Sequence, residues 1–405
     1  MAEAGPGAPS PTAHVVLASR IFAPEAAAAS FRLAALTGAL SRWARRVTVL
    51  TVRPTADAAA AAAAATVPAN VTITRWPVLR DAAGVVRGYV QYLSFDAPLA
   101  LRLLLVARPT VVVSEPPPTT GVVVRVVSAL RRVPYVYYAA DIWSDAAAST
   151  GAPAPLVRVV AAMERWALRG ARAVIAVSDG VAARLGELGV DPAAVTVVRN
   201  GIDTSVFTPD GPVPVDAPDV PYLVYAGTAS EWQGAEIFVE ALARVRESVP
   251  DARVVFLGQG SAWATIAAQA AAFPDGSVEL RGAVPPEVAA QWLRGAHGAL
   301  VSLRPGLGYD FAFPTKVFAA VACGAPVLYA GPGPARDVLA KDELGIVTDF
   351  SVDEVACAMI ALLRSPPSSA SRAARADWAR ENASATRSAE TAAGVVQNAG
   401  GRGRR

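Results

Sequence analysis

The chain has 405 residues, of which 53% are hydrophobic and 18% are charged. At roughly 150 residues per domain, this length predicts two domains or slightly more, and the composition excludes a chain that is disordered throughout. No apolar run approaches the roughly 20 residues that span a membrane, and the two cysteines exclude a disulfide framework. We therefore expect a cytoplasmic protein.

The formal net charge of +3 is unevenly distributed along the chain. Residues 1–204 carry 20 arginines and 13 acids, a net charge of +7, whereas residues 205–405 carry 17 bases and 21 acids, a net charge of −4. Lys316 and Lys341 are the only lysines. Because the chain otherwise uses arginine, a lysine that persists is a candidate for a specific role.

Short β-branched runs alternate with longer helical segments in the first half of the chain. Near-continuous apolar strands that alternate with helices indicate a parallel sheet covered on both faces. The predicted elements are, in chain order, strand His14–Ala18, helix Ser30–Ala44, strand Val47–Thr51, strand Thr110–Ser114, helix Thr120–Leu130, strand Tyr135–Tyr138, helix Leu156–Arg169, strand Ala173–Val177 and helix Gly180–Leu188.

The same pattern restarts at Tyr222. We therefore predict an α/β fold of two doubly wound, Rossmann-like domains that face a cleft, with ligands beyond the carboxyl ends of the strands. The predicted strand and helix pairs are Tyr222–Ala226 with Ala235–Ser248, Arg253–Leu257 with Ala262–Ala272, Ser277–Leu280 with Pro286–Leu293, Gly298–Ser302 with Thr315–Ala322, and Ala325–Tyr329 with Ala335–Leu339.

Changes in composition predict the domain boundaries. A proline-rich stretch between the two patterns is typical of a linker, and both chain ends are rich in small or basic residues. The predicted segments are a disordered N-terminus over residues 1–12, a first domain over 13–205, a linker over 206–221, a second domain over 222–364, a tail over 365–398 with one helix at Arg372–Val396, and a disordered basic end over 399–405.

The strongest candidate site follows the strand Gly298–Ser302. Pro314 and Thr315 indicate a helix start, so Lys316 lies in the first turn and adds its charge to the positive end of the helix. A diphosphate group fits such a site. Arg304 and Asp310, on the loop before this helix, are candidates to complete it.

Turns rich in small residues follow three further strands of the second domain. Small residues at strand ends allow a phosphate to approach backbone amides, although each such turn alone is more often ordinary turn chemistry. Their succession along one sheet edge favours a phosphate site. The residues are Gly227, Thr228, Gln233 and Gly234 after the first strand, Gly258 after the second, and Arg281, Gly282 and Val284 at and after the third.

Two turns of the first domain offer weaker candidates. Arg32 lies in the first turn of a helix that Ser30 caps, where it can reach a phosphate; the alternative is an exposed surface arginine. Asp141 follows the strand Tyr135–Tyr138 and can bind sugar hydroxyls, with Trp143 packing on an apolar sugar face. The alternative is a helix cap and a core tryptophan.

Several common motifs are absent from the sequence. There is no G-x-G-x-x-G fingerprint, Walker loop, G-x-S-x-G, H-E-x-x-H or Asp-x-Asp motif, which disfavours a dinucleotide oxidoreductase and a metal-dependent mechanism. No basic stripe with interleaved aromatic residues indicates nucleic-acid binding. We expect no cofactor, no bound metal and no nucleic-acid partner.

Five segments carry a recognisable combination of motifs. They are Phe22–Glu25 with Phe31–Leu36, Asp141–Asp145, Ala176–Gly180, Val198–Pro209 and Pro314–Val327. Together they resemble the retaining nucleotide-sugar glycosyltransferases of family 4, which have the GT-B fold, and the resemblance covers about Val15–Leu363. The last segment is similar to a bacterial branch with a P-S/T-K motif, whose members build surface polysaccharides or modify small molecules.

The resemblance implies a nucleotide diphosphate sugar as donor and hexosyl or deoxyhexosyl transfer with retention, independent of metal. The second domain would bind the donor. The residues beside the diphosphate would be Gly227, Thr228, Gln233 and Gly234, and Gly282–Val284 would lie beside the base. Lys316 would bind phosphate, and its neighbours Pro314, Thr315 and Val317 would also contact the donor. The first domain would bind a glycan, lipid-linked or small-molecule acceptor, with Arg32 and Asp141 facing the cleft. The helix Arg372–Val396 would cross back to the first domain.

The chain departs from the family pattern at the ribose. Ala319 stands where relatives have a glutamate that clamps the ribose hydroxyls, and Phe311 stands at an earlier glutamate position. Ala26–Ala29 replace a Gly-Gly pair, and Thr228 and Gln233 replace an arginine and a lysine. Three explanations stay open: a 2′-deoxyribose donor such as a thymidine diphosphate sugar, substitution by Asp310, or lost activity. We favour the first two.

Other functions of the same fold remain alternatives. They are a non-catalytic partner protein and a sugar-nucleotide epimerase or phosphorylase. The charge of +7 on residues 1–204 either attracts the anionic inner face of a membrane or offsets the charge of the donor. Arg42, Arg45 and Arg46 beside Trp43 are the candidate membrane contact, with a solvated helix face as the alternative.

Overall fold

The computed structural model describes residues 10–25, 28–55, 67–81, 86, 88–149, 152–310 and 312–401. Residues 1–9 and 402–405 of the two predicted disordered ends, Ala26 and Ala27 of the replaced Gly-Gly pair, and Phe311 lie outside these residues. The predictions of disorder are wrong at Ser10–Thr12, which begin the first strand, and at Ala399–Gly401, which end the last helix.

The chain divides into two compact units. The first unit runs to Asn200 and resumes at Ala385, and the second unit comprises Gly201–Ser384. Residues 206–221, predicted as a linker, lie within the second unit.

Within the described residues, the first unit is built on a seven-stranded parallel sheet of order β3-β2-β1-β4-β5-β6-β7. Alternate residues of β1 enter two cores: Val15 and Leu17 pack on one face of the sheet and Val16 on the other. The strands are β1 (Ser10–Ala18), β2 (Ala44–Val52), β3 (Val71–Trp76), β4 (Val111–Ser114), β5 (Tyr135–Ala139), β6 (Ala173–Ala176) and β7 (Val195–Val197).

Helices cover both faces of this sheet, as the apolar strands predict. They are α1 (Ala28–Trp43), α2 (Tyr89–Leu105), α3 (Pro118–Arg131), α4 (Trp143–Ser149), α5 (Ala154–Arg169) and α6 (Asp179–Glu187).

The second unit repeats the plan on a six-stranded parallel sheet, counted over the described residues, of order β10-β9-β8-β11-β12-β13. Its strands are β8 (Tyr222–Ala226), β9 (Arg253–Leu257), β10 (Val278–Arg281), β11 (Gly298–Ser302), β12 (Val327–Ala330) and β13 (Gly345–Thr348). Its helices are α7 (Ile237–Ser248), α8 (Trp263–Ala270), α9 (Pro286–Gly295), α10 (Lys316–Ala322), α11 (Ala335–Lys341), α12 (Val352–Arg364) and α13 (Ser369–Asn382). The predicted α/β fold of two Rossmann-like domains is confirmed.

The predicted single helix at Arg372–Val396 is wrong, because the structure has two helices there. α13 ends at Asn382 and α14 (Ala385–Gly401) follows. The backbone N–H of Ile202 donates to the carbonyl oxygen of Ala383 (2.7 Å), and Ile202 forms a β-bridge with Ser384. α13 packs on α10 in the second unit, whereas α14 packs on α1, so only α14 returns to the first unit.

Glycines at the carboxyl ends of the strands of the second sheet allow neighbouring loops to approach closely. Gly258 has a φ of +146°, and a Cβ atom there would lie 2.1 Å from the carbonyl oxygen of Gly227. The loop after β9 therefore packs directly on the loop after β8, which no larger residue at position 258 permits.

We expect Gly258→Ala to lower the free energy of unfolding by about 2–4 kcal/mol, because alanine adds a steric clash to an unfavourable φ. Urea denaturation followed by circular dichroism measures the change. The control is Gly186→Ala in α6, where a new Cβ meets no atom within 4 Å. It should leave stability unchanged or raise it by about 0.4–1 kcal/mol. Equal effects of the two substitutions would contradict the close approach.

Candidate functional site

Lys316 begins α10 and points its ammonium group at the loop after β8. Its Nζ donates to the phenolic oxygen of Tyr225 (2.5 Å) and to the carbonyl oxygen of Thr228 (2.9 Å). The same Nζ lies 4.0 Å from the centre of the Tyr225 ring. The helix starts one residue later than predicted, and with seven residues it is short. The positive charge at this place is therefore mainly that of Lys316 itself.

The charge of Lys316 has no counter-ion within the described parts of the chain. No ion pair that the structure shows there includes Lys316. The surrounding protein desolvates the ammonium group and lowers the pKa of Lys316 to about 7. A cation that is desolvated and unpaired gains more from a bound anion than a solvated one does.

The loop after β8 is held in shape by its own polar groups. The Tyr225 hydroxyl donates to the carbonyl oxygen of Thr228 (2.8 Å). The buried Gln233 side chain accepts from the backbone N–H of Ser230 through Oε1 (3.0 Å). Gly227 has a φ of +132°, and a Cβ there would contact Cε of Lys316 at 3.4 Å. The structure thus brings the predicted residues Gly227, Thr228 and Gln233 together with Lys316.

Two predicted arginines of the site are already neutralised. Arg304 forms an ion pair with Glu236 and lies over the Phe350 ring, 5.4 Å from its centre. Arg281 forms ion pairs with Glu279 (3.0 Å) and Asp216. Neither guanidinium group is therefore a free positive charge for a diphosphate.

The remaining predicted donor residues shape the loops. Gly234, with a φ of +62°, packs against Phe350, where a Cβ would lie 2.6 Å from the ring. The backbone N–H of Gly258 donates to the carbonyl oxygens of Arg281 (3.1 Å) and Gly282 (3.2 Å). Val284 packs against a hydrophobic core.

The loop between β11 and α10 is similarly self-contained. The Asp310 carboxylate accepts from the backbone N–H of Gly306, at 3.1 Å to Oδ1. Pro314 and Val317 are buried, and the carbonyl oxygen of Thr315 accepts from the N–H of Phe318 (3.0 Å). Ala319 is buried in the same core as Val317. Asp310 thus closes its own loop.

A cavity of about 430 Å³ opens at the carboxyl ends of β12 and β13. Pro305, Gly331, Arg336, Asp349 and Phe350 are among its lining residues. The Arg336 side chain donates to the carbonyl oxygens of Gly331 (2.9 Å) and Thr348 and pairs with Asp349 (3.2 Å). Sequence reasoning missed this cavity, although the glycines at 331 and 333 signal a special turn.

Arg32 in the first unit forms a buried ion pair with Glu115 (2.7 Å). It also donates to Oδ1 of Asn200 (3.3 Å) and lies 5.0 Å from the centre of the Tyr138 ring. Burial raises the pKa of Glu115 in spite of Arg32. Sequence reasoning missed Glu115, whose position directly after the buried strand β4 was an available signal.

Asp141 lies near Arg32 but keeps access to solvent. Desolvation by the surrounding protein raises the pKa of Asp141, and the charge of Arg32 opposes this shift. The structure shows no hydrogen-bond partner for its carboxylate among the described residues. Asp141 is therefore available to a ligand, whereas Arg32 is occupied by Glu115.

Trp143 is explained by local packing. Its backbone N–H and that of Ser144 donate to the buried carboxylate of Glu164, at 2.7 Å and 3.0 Å, which caps the start of α4. The Trp143 ring meets Tyr92 edge to face, with centroids 5.6 Å apart. Sequence reasoning missed Glu164 because it acts from 20 residues away.

Neither a metal site nor a membrane span is found in the described ranges. No three His, Cys, Asp or Glu side chains there come together as a metal site. No helix among the described residues is both long and apolar enough to cross a bilayer.

Two doubly wound units of this kind define the GT-B fold, and solved structures share it. Sucrose-phosphate synthase from Thermosynechococcus elongatus superposes with a TM-score of 0.73 at 16% identity, covering 93% of this chain and 96% of that one. The HepE protein of Anabaena, in complex with UDP and glucose, superposes with a TM-score of 0.69 at 17% identity, covering 94% and 98% of the two chains.

Sequence comparison relates both halves of the chain to glycosyltransferases. Residues 29–206 match the family described as Glycosyltransferase Family 4, and residues 220–365 match the family described as Glycosyl transferases group 1. A D-inositol 3-phosphate glycosyltransferase of Jonesia denitrificans is 29% identical over 218 residues, 48% of this chain and 49% of that protein. The chain thus spans about half the length of the curated relatives it matches. It is a GT-B protein related to the family 4 glycosyltransferases.

We expect Arg32→Met to lower the free energy of unfolding by about 3–5 kcal/mol at pH 8, because Glu115 is left charged and buried without a partner. Burial raises the folded-state pKa of Glu115 above its unfolded value, so the protein loses stability as the pH rises through that folded-state pKa. The loss should therefore be smaller at pH 5, where the unpaired carboxyl takes up a proton. Urea denaturation at both pH values measures it.

The control for this variant is Arg42→Met, which removes the exposed ion pair of Arg42 with Glu390. Its cost should stay below about 1 kcal/mol at either pH. If Arg32→Met lowers the free energy of unfolding no more than this control does, or lowers it equally at both pH values, Glu115 does not depend on Arg32 to compensate its buried charge.

Proposed function

We propose that the protein is a glycosyltransferase that moves a sugar from a nucleotide diphosphate sugar to an acceptor, with retention and without a metal ion. The observation that carries the proposal is the unpaired ammonium group of Lys316 at the carboxyl edge of the second sheet. The kinship of both halves with glycosyltransferases, and the UDP and glucose bound to HepE, support the same donor class.

Lys316 acts on the leaving group in this proposal. The bond between the anomeric carbon and the diphosphate oxygen breaks, and the oxygen keeps both electrons. The Lys316 ammonium group stabilises the negative charge that grows there. A bound diphosphate also raises the pKa of Lys316 from about 7, so the lysine is fully protonated when the sugar is transferred.

The acceptor oxygen then bonds to the anomeric carbon on the face that the diphosphate leaves. Its proton passes to the leaving phosphate oxygen, so that no side-chain base is required. The acceptor is proposed to be a glycan, a lipid-linked sugar or a small molecule. Asp141 is proposed to bind an acceptor hydroxyl, since its carboxylate keeps solvent access and Arg32 is taken up by Glu115.

The loops around Lys316 take two different roles. Gly227, Thr228 and the backbone near Gly282 are proposed to bind the donor directly, because they lie at strand ends without bulky side chains. Arg281 and Arg304 are proposed to hold their loops in place, because carboxylates already compensate their charges.

The missing ribose clamp favours a 2′-deoxyribose donor such as a thymidine diphosphate sugar. Ala319 has no carboxylate, and Asp310 is engaged by the N–H of Gly306 in its own loop. Losing the charged hydrogen bonds to a ribose costs roughly 1.5–3 kcal/mol each, a cost that a deoxyribose donor reduces. The absence of a carboxylate at position 319 is also what a competing hypothesis predicts, namely a non-catalytic GT-B partner protein that binds no nucleotide diphosphate.

Replacing Lys316 tests the proposal. We expect Lys316→Met to lower turnover, measured as nucleoside diphosphate release, by about 10²–10³-fold, because one stabilising cation of the transition state is lost. Calorimetry with uridine, guanosine and thymidine diphosphates should show tightest binding of the thymidine form by the unchanged protein.

The control is Lys341→Met, which removes the other lysine at the exposed end of α11 and should change neither quantity. Unchanged turnover in Lys316→Met would refute the role of this lysine. If the folded, unchanged protein binds none of the three diphosphates, the non-catalytic hypothesis is correct instead.

A further inference from the structure

Tyr225 lies near the carboxyl end of β8, and its side chain is fully buried. Its ring packs against Phe256 and Phe238, whose ring centres lie 5.5 Å and 6.3 Å from its own. Because close packing in the core leaves such a ring little room to move, few positions are available to its hydroxyl group. The hydroxyl group is therefore fixed at the edge of the second sheet.

The Tyr225 hydroxyl group is both a donor and an acceptor. Its proton faces the carbonyl oxygen of Thr228 (2.8 Å), with Oε1 of Gln233 further away (3.4 Å). Its oxygen accepts from Nζ of Lys316 (2.5 Å). Burial raises the pKa of the Tyr225 hydroxyl, so this group stays protonated and neutral. It therefore stabilises the ammonium group without cancelling its charge.

The ammonium group of Lys316 has three protons, two of which have acceptors. Nζ donates to the hydroxyl oxygen of Tyr225 and to the carbonyl oxygen of Thr228 (2.9 Å). No third acceptor for Nζ is found in the parts of the chain that the structure describes. Because two bonds fix the orientation of a tetrahedral group, the third proton has a defined direction. A diphosphate oxygen can accept this proton without displacing either neighbour.

The acids of the neighbouring loops have partners of their own. Glu231 and Glu236 lie in the loop after β8: the first accepts from the hydroxyl of Ser261 (2.5 Å), and the second pairs with Arg304. Asp310, before α10, accepts from a backbone N–H of its own loop. The desolvation that lowers the pKa of the lysine is therefore not offset by a carboxylate. The lysine depends on neutral acceptors for its orientation.

We propose that Tyr225 is a positioning residue for glycosyl transfer: its hydroxyl group keeps the Lys316 ammonium group charged and directed at the diphosphate. This inference rests on the proposed function, since it adds a second residue to the site of Lys316. A hydrogen bond to the charged form of a group favours that form. Without the hydroxyl, the lysine keeps the aromatic ring and one carbonyl oxygen, but its third proton loses its fixed direction.

Tyr329 supplies a matched control in the same sheet. It lies near the carboxyl end of β12, is fully buried, and donates to the carbonyl oxygen of Pro332 (2.5 Å), three residues further on. Tyr225 makes the same local bond to Thr228. Within the described residues, a lysine donates to Tyr225 but not to Tyr329. Phenylalanine at each position thus separates the shaping of a loop from an effect on Lys316.

Titration of Lys316 by nuclear magnetic resonance tests the positioning role without a ligand. We expect Tyr225→Phe to lower the pKa of Lys316 by about one pH unit, because the charged form loses a hydrogen bond. Tyr329→Phe should leave this pKa unchanged. Both variants keep the ring, and circular dichroism checks their fold. In the unchanged protein, a nuclear Overhauser effect between the ε-methylene protons of Lys316 and the ring protons of Tyr225 tests the contact without a substitution.

Calorimetry with thymidine diphosphate measures the consequence for binding. At pH 8, we expect Tyr225→Phe to weaken binding by about tenfold, because a lower pKa leaves fewer Lys316 groups charged. At pH 6, where at least about half of these groups are charged in either protein, the loss should be several-fold smaller. The kcat/KM for the donor should fall with the same pH dependence, since it reports the free enzyme. Tyr329→Phe should change neither quantity.

Three results would overturn the inference. They are the same Lys316 pKa in the two variants, losses of thymidine diphosphate binding that are equal in the two variants or equal at both pH values, or no Overhauser effect in the unchanged protein. If Lys316→Met loses turnover while Tyr225→Phe keeps it at pH 8, the positioning role alone fails and the proposed function stands. If the unchanged protein binds no nucleoside diphosphate, both fail together.

Discussion

The ammonium group of Lys316 lies where the protein disfavours its charge and no carboxylate relieves it. Two neutral oxygens, from Tyr225 and Thr228, accept its hydrogen bonds, and desolvation lowers its pKa to about 7. A diphosphate bound beside Lys316 would offset the free-energy cost of this desolvated and unpaired positive charge. The attraction for an anion is therefore built into the protein before any ligand binds.

The second sheet places Lys316 through its parallel topology. β8 lies between β9 and β11, so the loops after these strands meet at one edge. Gly258 permits the close approach of two of these loops, and Tyr225 extends from the end of β8 to the lysine. In the first unit, the buried pair of Arg32 and Glu115 plays a different part, because the carboxylate already compensates the charge of Arg32 and leaves it no free cation for an anion.

The central strands were predictable because parallel strands covered on both faces are continuous apolar runs. Of the four edge strands, β10 was predicted, whereas β3, β7 and β13 were missed; all four are partly exposed, so the continuous apolar signal is weak there. Helix α2 was missed because it is apolar on both faces and contains Pro98, so it lacks the polar stripe that marks a surface helix. The break after Asn382 is accompanied by a bridge from Ser384 to Ile202, about 180 residues away, a contact that the local sequence does not reveal.

The candidate site was likewise predictable from the sequence only in part. Lys316 was predictable from its rarity and from the helix start before it, both of which are local signals. The neutralisation of Arg304 by Glu236 and of Arg281 by Asp216 was not, since each partner is at least 65 residues distant in the sequence. Glu115 and Glu164 were missed for the same reason, since each contacts a partner that is distant in the sequence and that the fold brings close.

The most direct test is a titration of Lys316 by nuclear magnetic resonance. Lys316 and Lys341 are the only lysines, so a lysine-labelled protein gives two side-chain signals, and Lys341→Met assigns them. The account predicts that Lys316 titrates near pH 7 in the free protein. A saturating nucleoside diphosphate should raise that pKa by at least about one pH unit, since an anion favours the charged form. A Lys316 signal that titrates near its ordinary pKa in the free protein, or that is unmoved by every diphosphate, would contradict it.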